Sequence, residues 1–309
     1  MTWLTYTEQG MIEPLLYRHV DLDLCFQTHS AMKLFYCFDV ENTPVSPKAS
    51  WIHTLCIDIA RHIIHDKPTL TQLRKDSIAL ITRSTGLREL RLDCLLDKED
   101  LKTIASCHSP ALTKLSVCIT WNSLPLLRRF PALKDLQLQF HSNNPNDTEL
   151  QNLFRSNPFN DKKFARGVTL PNLRELVAFV NLANTILVEW LTHCNLPMFR
   201  KMVFMGGYRT LPHDHAHLLA LVSKHGLGLG HFGFGADHMK KDSETPKILF
   251  HMPSLSILEM STPLIYGFHL EDLPVAVTQI VLCGFYRQDS YKDRSDFLSA
   301  AKKFDSWVE

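Results

Sequence analysis

Apolar and polar positions alternate along this chain in a short figure that keeps returning. In LRELRLDCL, residues 87 to 95, Leu87, Leu90 and Leu92 are apolar while Arg88, Glu89, Arg91 and Asp93 are polar. A spacing of two from Leu90 onward suits a strand with one buried face and does not suit a helix. The frame apolar-x-x-apolar-x-apolar recurs as YRHVDL (17–22), IHTLCI (52–57), LRELRL (87–92), LTKLSV (112–117) and LKDLQL (133–138). It continues as LRELVA (173–178), FRKMVF (199–204), LGHFGF (229–234), LSILEM (255–260) and VTQIVL (277–282), ten copies in all. In five of them a proline stands two residues before the first apolar position (Pro110, Pro131, Pro171, Pro197 and Pro253), where it ends a preceding helix and leads into extended chain.

The middle apolar residues of successive copies lie 35, 35, 25, 21, 40, 26, 30, 26 and 22 residues apart. These intervals cluster near the about 20–29 residues of a leucine-rich repeat, with longer insertions. Helical patterns fill the gaps: TLTQLRKDSIALI (69–81), DKEDLKTIAS (97–106), DTELQNLFRS (147–156), NTILVEWLTH (184–193) and DHAHLLALVSKHG (214–226). Asp97 is an expected N-cap with acidic residues behind it, and Gly226 stands where a helix ends. One strand and one helix cannot bury their own apolar faces, so the units must stack. The expectation is an α/β leucine-rich-repeat solenoid with a parallel concave sheet and irregular repeats. Residues 1–16 are a lead-in, 17–285 hold about ten degenerate repeats, and 286–309 form a capping helix with Phe297, Leu298, Ala301 and Phe304 on one face.

Strand alternation sends the middle and last apolar residues inward and their neighbours outward onto the concave face. The early strands then present Glu89, Arg91, Asp93, Lys114, Asp135 and Gln137, and the later ones Val177, Phe179, Val203, Met205, Ile257 and Val281. The second set is apolar for a solvated face, and an apolar patch on a soluble protein marks an interaction surface unless a long insertion such as 142–168 or 236–251 folds over it. Glu89, Arg91, Asp93, Lys114, Val177, Phe179, Val203, Met205, Ile257 and Val281 are therefore the expected partner-binding residues.

Composition narrows the partner. Lysine and arginine (33) balance aspartate and glutamate (32), so no overall charge favours nucleic acid or an anionic membrane. No stretch reaches the about 20 apolar residues that span a bilayer, and the N-terminus lacks a signal pattern; the expected location is cytoplasmic or nuclear. Eight cysteines lie scattered without a C-x-x-C pair and read as reduced core or near-core thiols. The sequon at Asn146 carries no meaning without secretion.

Two stretches invite a chemical reading. GLGLGHFGFG holds a formal G-x-G-x-x-G at Gly228, Gly230 and Gly233, but a dinucleotide site needs that motif between a strand and a following helix. Here it follows a helix and occupies the strand itself. HDHAH places His213 and His217 four apart on a helix, with Asp214 or His225 as a third ligand to imagine, yet spacing alone closes no set, and a solvated helix start accounts for it. No hydrolase, metalloprotease, nucleotide-loop or kinase signature occurs. The expectation is a protein without enzymatic activity, cofactor or metal; the opposing class, an enzyme on this scaffold, would reveal itself by turnover or by a deep pocket gathering His and carboxylates.

PLLYRHVDL at 14–22 and the recurring blocks FPALKDLQL and LPNLRELVAF resemble the leucine-rich-repeat portion of fungal F-box-like proteins over nearly the whole chain. That resemblance implies a substrate receptor of a cullin-type ubiquitin ligase, in which an F-box docks an adaptor and the repeats hold a target protein. The 16 residues before the first repeat are too few for an F-box, so the chain reads either as a receptor portion without that module or as a leucine-rich-repeat scaffold unrelated to ubiquitination.

Overall fold

Each copy of the apolar figure forms a strand. The computed structural model describes residues 14–23, 48–59, 67–140, 167–179, 184–205, 214–234, 245–261 and 273–283. The chain divides into two compact units, Met1–His141 and Ser142–Glu309. The first carries β1 (His19–Asp23), β2 (Thr54–Asp58), β3 (Glu89–Leu96), β4 (Lys114–Ile119) and β5 (Asp135–Phe140), with α1 (Lys67–Arg83) and α2 (Lys98–His108) between strands. The second carries β6 (Glu175–Phe179), α3 (Asn184–His193), β7 (Lys201–Met205), α4 (Asp214–His225), β8 (His231–Phe234), α5 (Thr245–Phe250), β9 (Ile257–Ser261) and β10 (Gln279–Cys283).

Within each unit every strand pairs in parallel with the next one in the chain. The register matches equivalent positions of the repeat. Val20, Leu55, Leu90, Leu115 and Leu136 lie side by side in the first unit, and Leu176, Met202, Phe232, Leu258 and Ile280 in the second. Leu55, Leu90, Leu115, Leu136, Leu176, Met202, Phe232 and Leu258 are all 0–2% exposed, and burying one such side chain stabilises by roughly 1.5–3 kcal/mol. The inward assignment of these positions therefore holds.

Backbone atoms make the joint between repeats. The carbonyl of Arg18 accepts from the amides of His53 and Thr54, that of His53 from Arg88 and Glu89, that of Arg88 from Thr113 and Lys114, and that of Thr113 from Lys134 and Asp135, all at 2.8–3.1 Å. In the second unit Arg174, Arg200, Gly230 and Ser256 offer the same doubly used carbonyl to the next repeat at 2.9–3.1 Å. Both lone pairs of one oxygen are thereby satisfied where the chain turns into its strand.

The expected helices at 69–81, 97–106, 184–193 and 214–226 coincide with α1, α2 with its N-cap, α3, and α4 with the residue after it. Those at 147–156 and 286–309 lie outside the described residues. Asp97 caps α2 as anticipated: its carboxylate accepts from the amides of Glu99 and Asp100, and Asp100 reaches back to the Asp97 amide. Two elements differ from expectation. The link from β4 to β5 is a 3₁₀ helix, Trp121–Arg129, whose Pro125 has no amide to donate; and β3 carries a bulge, pairing Leu92 with Val117 and then Leu95 with Cys118. Cys94, Cys118 and Cys194 are buried thiols, but Cys107 is exposed. The inward stripe of α2 is Leu101, Ile104, Ala105 and His108, and Cys107 falls off it. No helix among the described residues is long and apolar enough to cross a membrane.

Candidate interaction surface

The outward side chains of the first unit fall into three rows because the register aligns them. Nearest the strand starts lie His19, Thr54, Glu89, Lys114 and Asp135; next come Asp21, Cys56, Arg91, Ser116 and Gln137; last come Asp23, Asp58 and Asp93. Of the anticipated contact residues, Arg91 and Lys114 are exposed and Glu89 and Asp93 half-buried. The Lys114 ammonium sits between carboxylates, 3.4 Å from Glu89 and 3.8 Å from Asp135. The third row carries three carboxylates on adjacent strands, which are about 4.8 Å apart. Burial, then the neighbouring charges of Asp93 and Asp23, raise the Asp58 carboxyl above its ordinary value against the pull of Arg91. Burial also pushes the Cys56 thiol up to about 11, with Asp21 adding to it, so the thiol stays protonated and unreactive at neutral pH.

Sequence reasoning passed over Asp21, Asp23 and Asp58. The signal was present: HVDLD, TLCID and LRLD place an aspartate directly after the last apolar residue of three consecutive repeats. The row ends at the β3 bulge, a feature that re-aims side chains along a strand.

In the second unit the rows are Glu175, Lys201, His231, Ile257 and Gln279, then Val177, Val203, Gly233, Glu259 and Val281, then Phe179 with Met205. Val177, Phe179, Met205, Ile257 and Val281 are each half-buried on this face. Val203 departs from expectation, being only 2% exposed. Its neighbour Gly233 has no side chain, and the space where a Cβ would stand is already crowded by the Val203 methyls at 2.9 and 3.1 Å and by the Glu259 Cβ at 3.0 Å. Val203 thus packs over bare backbone instead of meeting solvent. Two polar pairs accompany the apolar set: Lys201 with Glu175 at 3.6 Å, and His231 with Glu259 at 3.1 Å, the latter largely shielded from solvent. The His231–Glu259 pair was not anticipated, because its partners lie 28 residues apart and meet only through strand pairing.

The glycines of G-x-G-x-x-G occupy the positions expected of packing. Gly228 ends a 3₁₀ turn, Gly230 leads into β8 and Gly233 lies within it. The motif thus runs into a strand, where a pyrophosphate site needs it to open a helix. Of the histidine cluster, His213 lies outside the described residues, and His217 has its Nδ1 4.0 Å from a Glu189 carboxylate oxygen on α3. Among the described residues no three His, Cys, Asp or Glu side chains are grouped to hold a metal.

A cleft of about 630 Å³ opens in the first unit, lined among others by Ile59, Leu70, Arg74, Ile78, Leu95 and Asp100. Arg74, Asp97 and Asp100 of its lining are tied to one another. Arg74 Nε donates to Asp100 at 2.7 Å, and its Nη2 reaches both Asp97 and Asp100, tying α1 to the start of α2. Burial pushes the Asp97 carboxyl up, but the Asp100 amide and the Arg74 guanidinium outweigh it and hold the carboxyl below its usual range. A third feature is apolar and sits at the turns of the second unit: Leu227 and Val275, 72% and 104% exposed, stand where other repeats place proline. No protein-family model matches this chain, and a search of curated proteins finds no match either.

Proposed function

We propose that this chain is a protein-interaction module, a leucine-rich-repeat solenoid whose outward, concave sheet face holds a partner protein, and that it serves as the substrate-receptor portion of a cullin-type ubiquitin ligase. The observation that carries the reading is the sorting of outward residues. Carboxylates dominate the charged outward residues of the first unit, relieved by Arg91 and Lys114, and the second presents Val177, Phe179, Met205, Ile257 and Val281 between two polar pairs. Half-buried aromatic and thioether side chains are the kind that anchor a protein partner, whereas exposed charges set orientation and association rate. Ligase membership rests on the resemblance of PLLYRHVDL and the P-x-L-x-x-L blocks to F-box-like proteins.

The test is affinity capture from native lysate with variants first shown to be folded by their thermal melts. Phe179→Ala/Met205→Ala is expected to reduce recovery of the partner at least tenfold, a loss of about 1.4 kcal/mol or more. Glu89→Ala/Arg91→Ala should instead alter the rate and salt dependence of capture. Recovery of a cullin adaptor supports the ligase role, and stable partners without an adaptor make the chain a scaffold. Undiminished capture by the apolar pair moves the site to the charged rows or to the Leu227 and Val275 turns.

A further inference from the structure

The two units join neighbouring helix ends with the same device. His108 is the last residue of α2, 1% exposed, and its Nε2 lies 2.6 Å from the carbonyl oxygen of Ile81, two residues before the end of α1. His225 is the last residue of α4, with its Nε2 3.2 Å from the carbonyl oxygen of Leu191, two residues before the end of α3. A carbonyl oxygen only accepts, so Nε2 carries the proton in each ring, and a neutral imidazole then leaves Nδ1 as a bare acceptor. In His108 that Nδ1 is buried with no hydrogen-bond partner among the described residues.

We propose that His108 is a pH-sensitive latch in the first unit: the neutral ring ties the end of α2 to the end of α1, and proton uptake at Nδ1 releases it. An imidazolium in this place would bury a charge and a second N–H with nothing to accept it, which proteins avoid by staying neutral or opening. The carbonyl ends of α1 and α2 favour a cation, so the two effects oppose each other. Burial prevails: it lowers the proton affinity of His108 by more than the Ile81 carbonyl raises it. Charged groups on the packed elements include Arg74, Lys75, Asp76 and Arg83 on α1, Arg128 and Arg129 at the end of the 3₁₀ helix, and Glu89, Arg91 and Asp93 on β3. None of them contributes to the shift, which has only those two causes. The folded ring therefore binds its proton more weakly than the unfolded chain, whose ordinary value is 6.5. The latch's contribution is complete above that value and is lost as pH falls below it, because the open form takes up a proton that the closed form does not.

Hydrogen exchange of the full chain at pH 7.5 and 5.5, corrected for intrinsic rates, reads the latch at the amides of residues 104–108. Opening should increase at the lower pH, by up to about tenfold one unit below the ordinary histidine value. His108→Gln places a non-titrating amide donor toward the same carbonyl and should remove most of that acceleration. In the unmodified chain the His108 ring resonances should titrate below 6.5. Titration at or above that value, or equal acceleration in His108→Gln, overturns the proposal. If His108→Gln does not fold, the ring titration decides alone.

Discussion

Leu90→Asp and Leu136→Asp are each expected to cost at least about 4 kcal/mol, whereas Arg91→Ala and Gln137→Ala should stay within about 0.5 kcal/mol. Both leucines are 2% exposed and sit in line with Leu55 and Leu115, so an aspartate there loses the packing of a whole side chain and buries an unpaired carboxylate. Arg91 and Gln137 are the next residues along the same strands and point to the opposite face. Domains are stable by only about 5–15 kcal/mol, so the inward variants should approach or pass the unfolding limit. Urea denaturation of the four proteins measures the contrast. Similar losses in both pairs would mean that the strand faces are assigned the wrong way round.

The second large effect belongs to the glycines before β8. A Cβ on Gly226 would stand 2.4 Å from the carbonyl oxygen of His251 and 3.1 Å from the Met252 Cγ, inside the turn of the next repeat. Backbone cannot retreat as a flexible side chain can, so Gly226→Ala should cost about 2–3 kcal/mol. Gly230, four residues on, meets nothing closer than 3.9 Å, and Gly230→Ala should be neutral or stabilise by up to about 1 kcal/mol through the unfolded chain. Midpoints of thermal unfolding separate the two. A costly Gly230→Ala beside a harmless Gly226→Ala would contradict this packing.

What the sequence reveals here is which face a residue takes, because that depends on its own strand. The period-two pattern around Leu90, Leu115 and Leu136 was enough to assign buried and outward positions, and the helical patterns between strands were enough to place α1 through α4. It could not tell what stands opposite. Val203 reads as an outward apolar residue on its own strand and becomes buried only because Gly233, 30 residues later, has no side chain to hold it off. His231 and Glu259 are likewise unremarkable until strand pairing brings them to 3.1 Å. The His108 joint was hidden for a different reason: its partner is the main-chain carbonyl of Ile81, an atom every residue has and no side-chain pattern announces. The 3₁₀ link was readable in retrospect from Pro125.

The doubly used carbonyls at the turns belong to Arg18, His53, Arg88 and Thr113 in one unit and to Arg174, Arg200, Gly230 and Ser256 in the other. Four of these residues are arginine, yet glycine, serine, threonine and histidine fill the other places, because the joint is made by the main-chain oxygen, with the Thr113 and Ser256 hydroxyls adding a bond to the oxygen of the preceding repeat. The joint therefore does not depend on any one side-chain type at these positions. The same indifference makes gain or loss of a whole repeat an accessible step in descent, because a duplicated segment arrives with the oxygen and the two amides that splice it in.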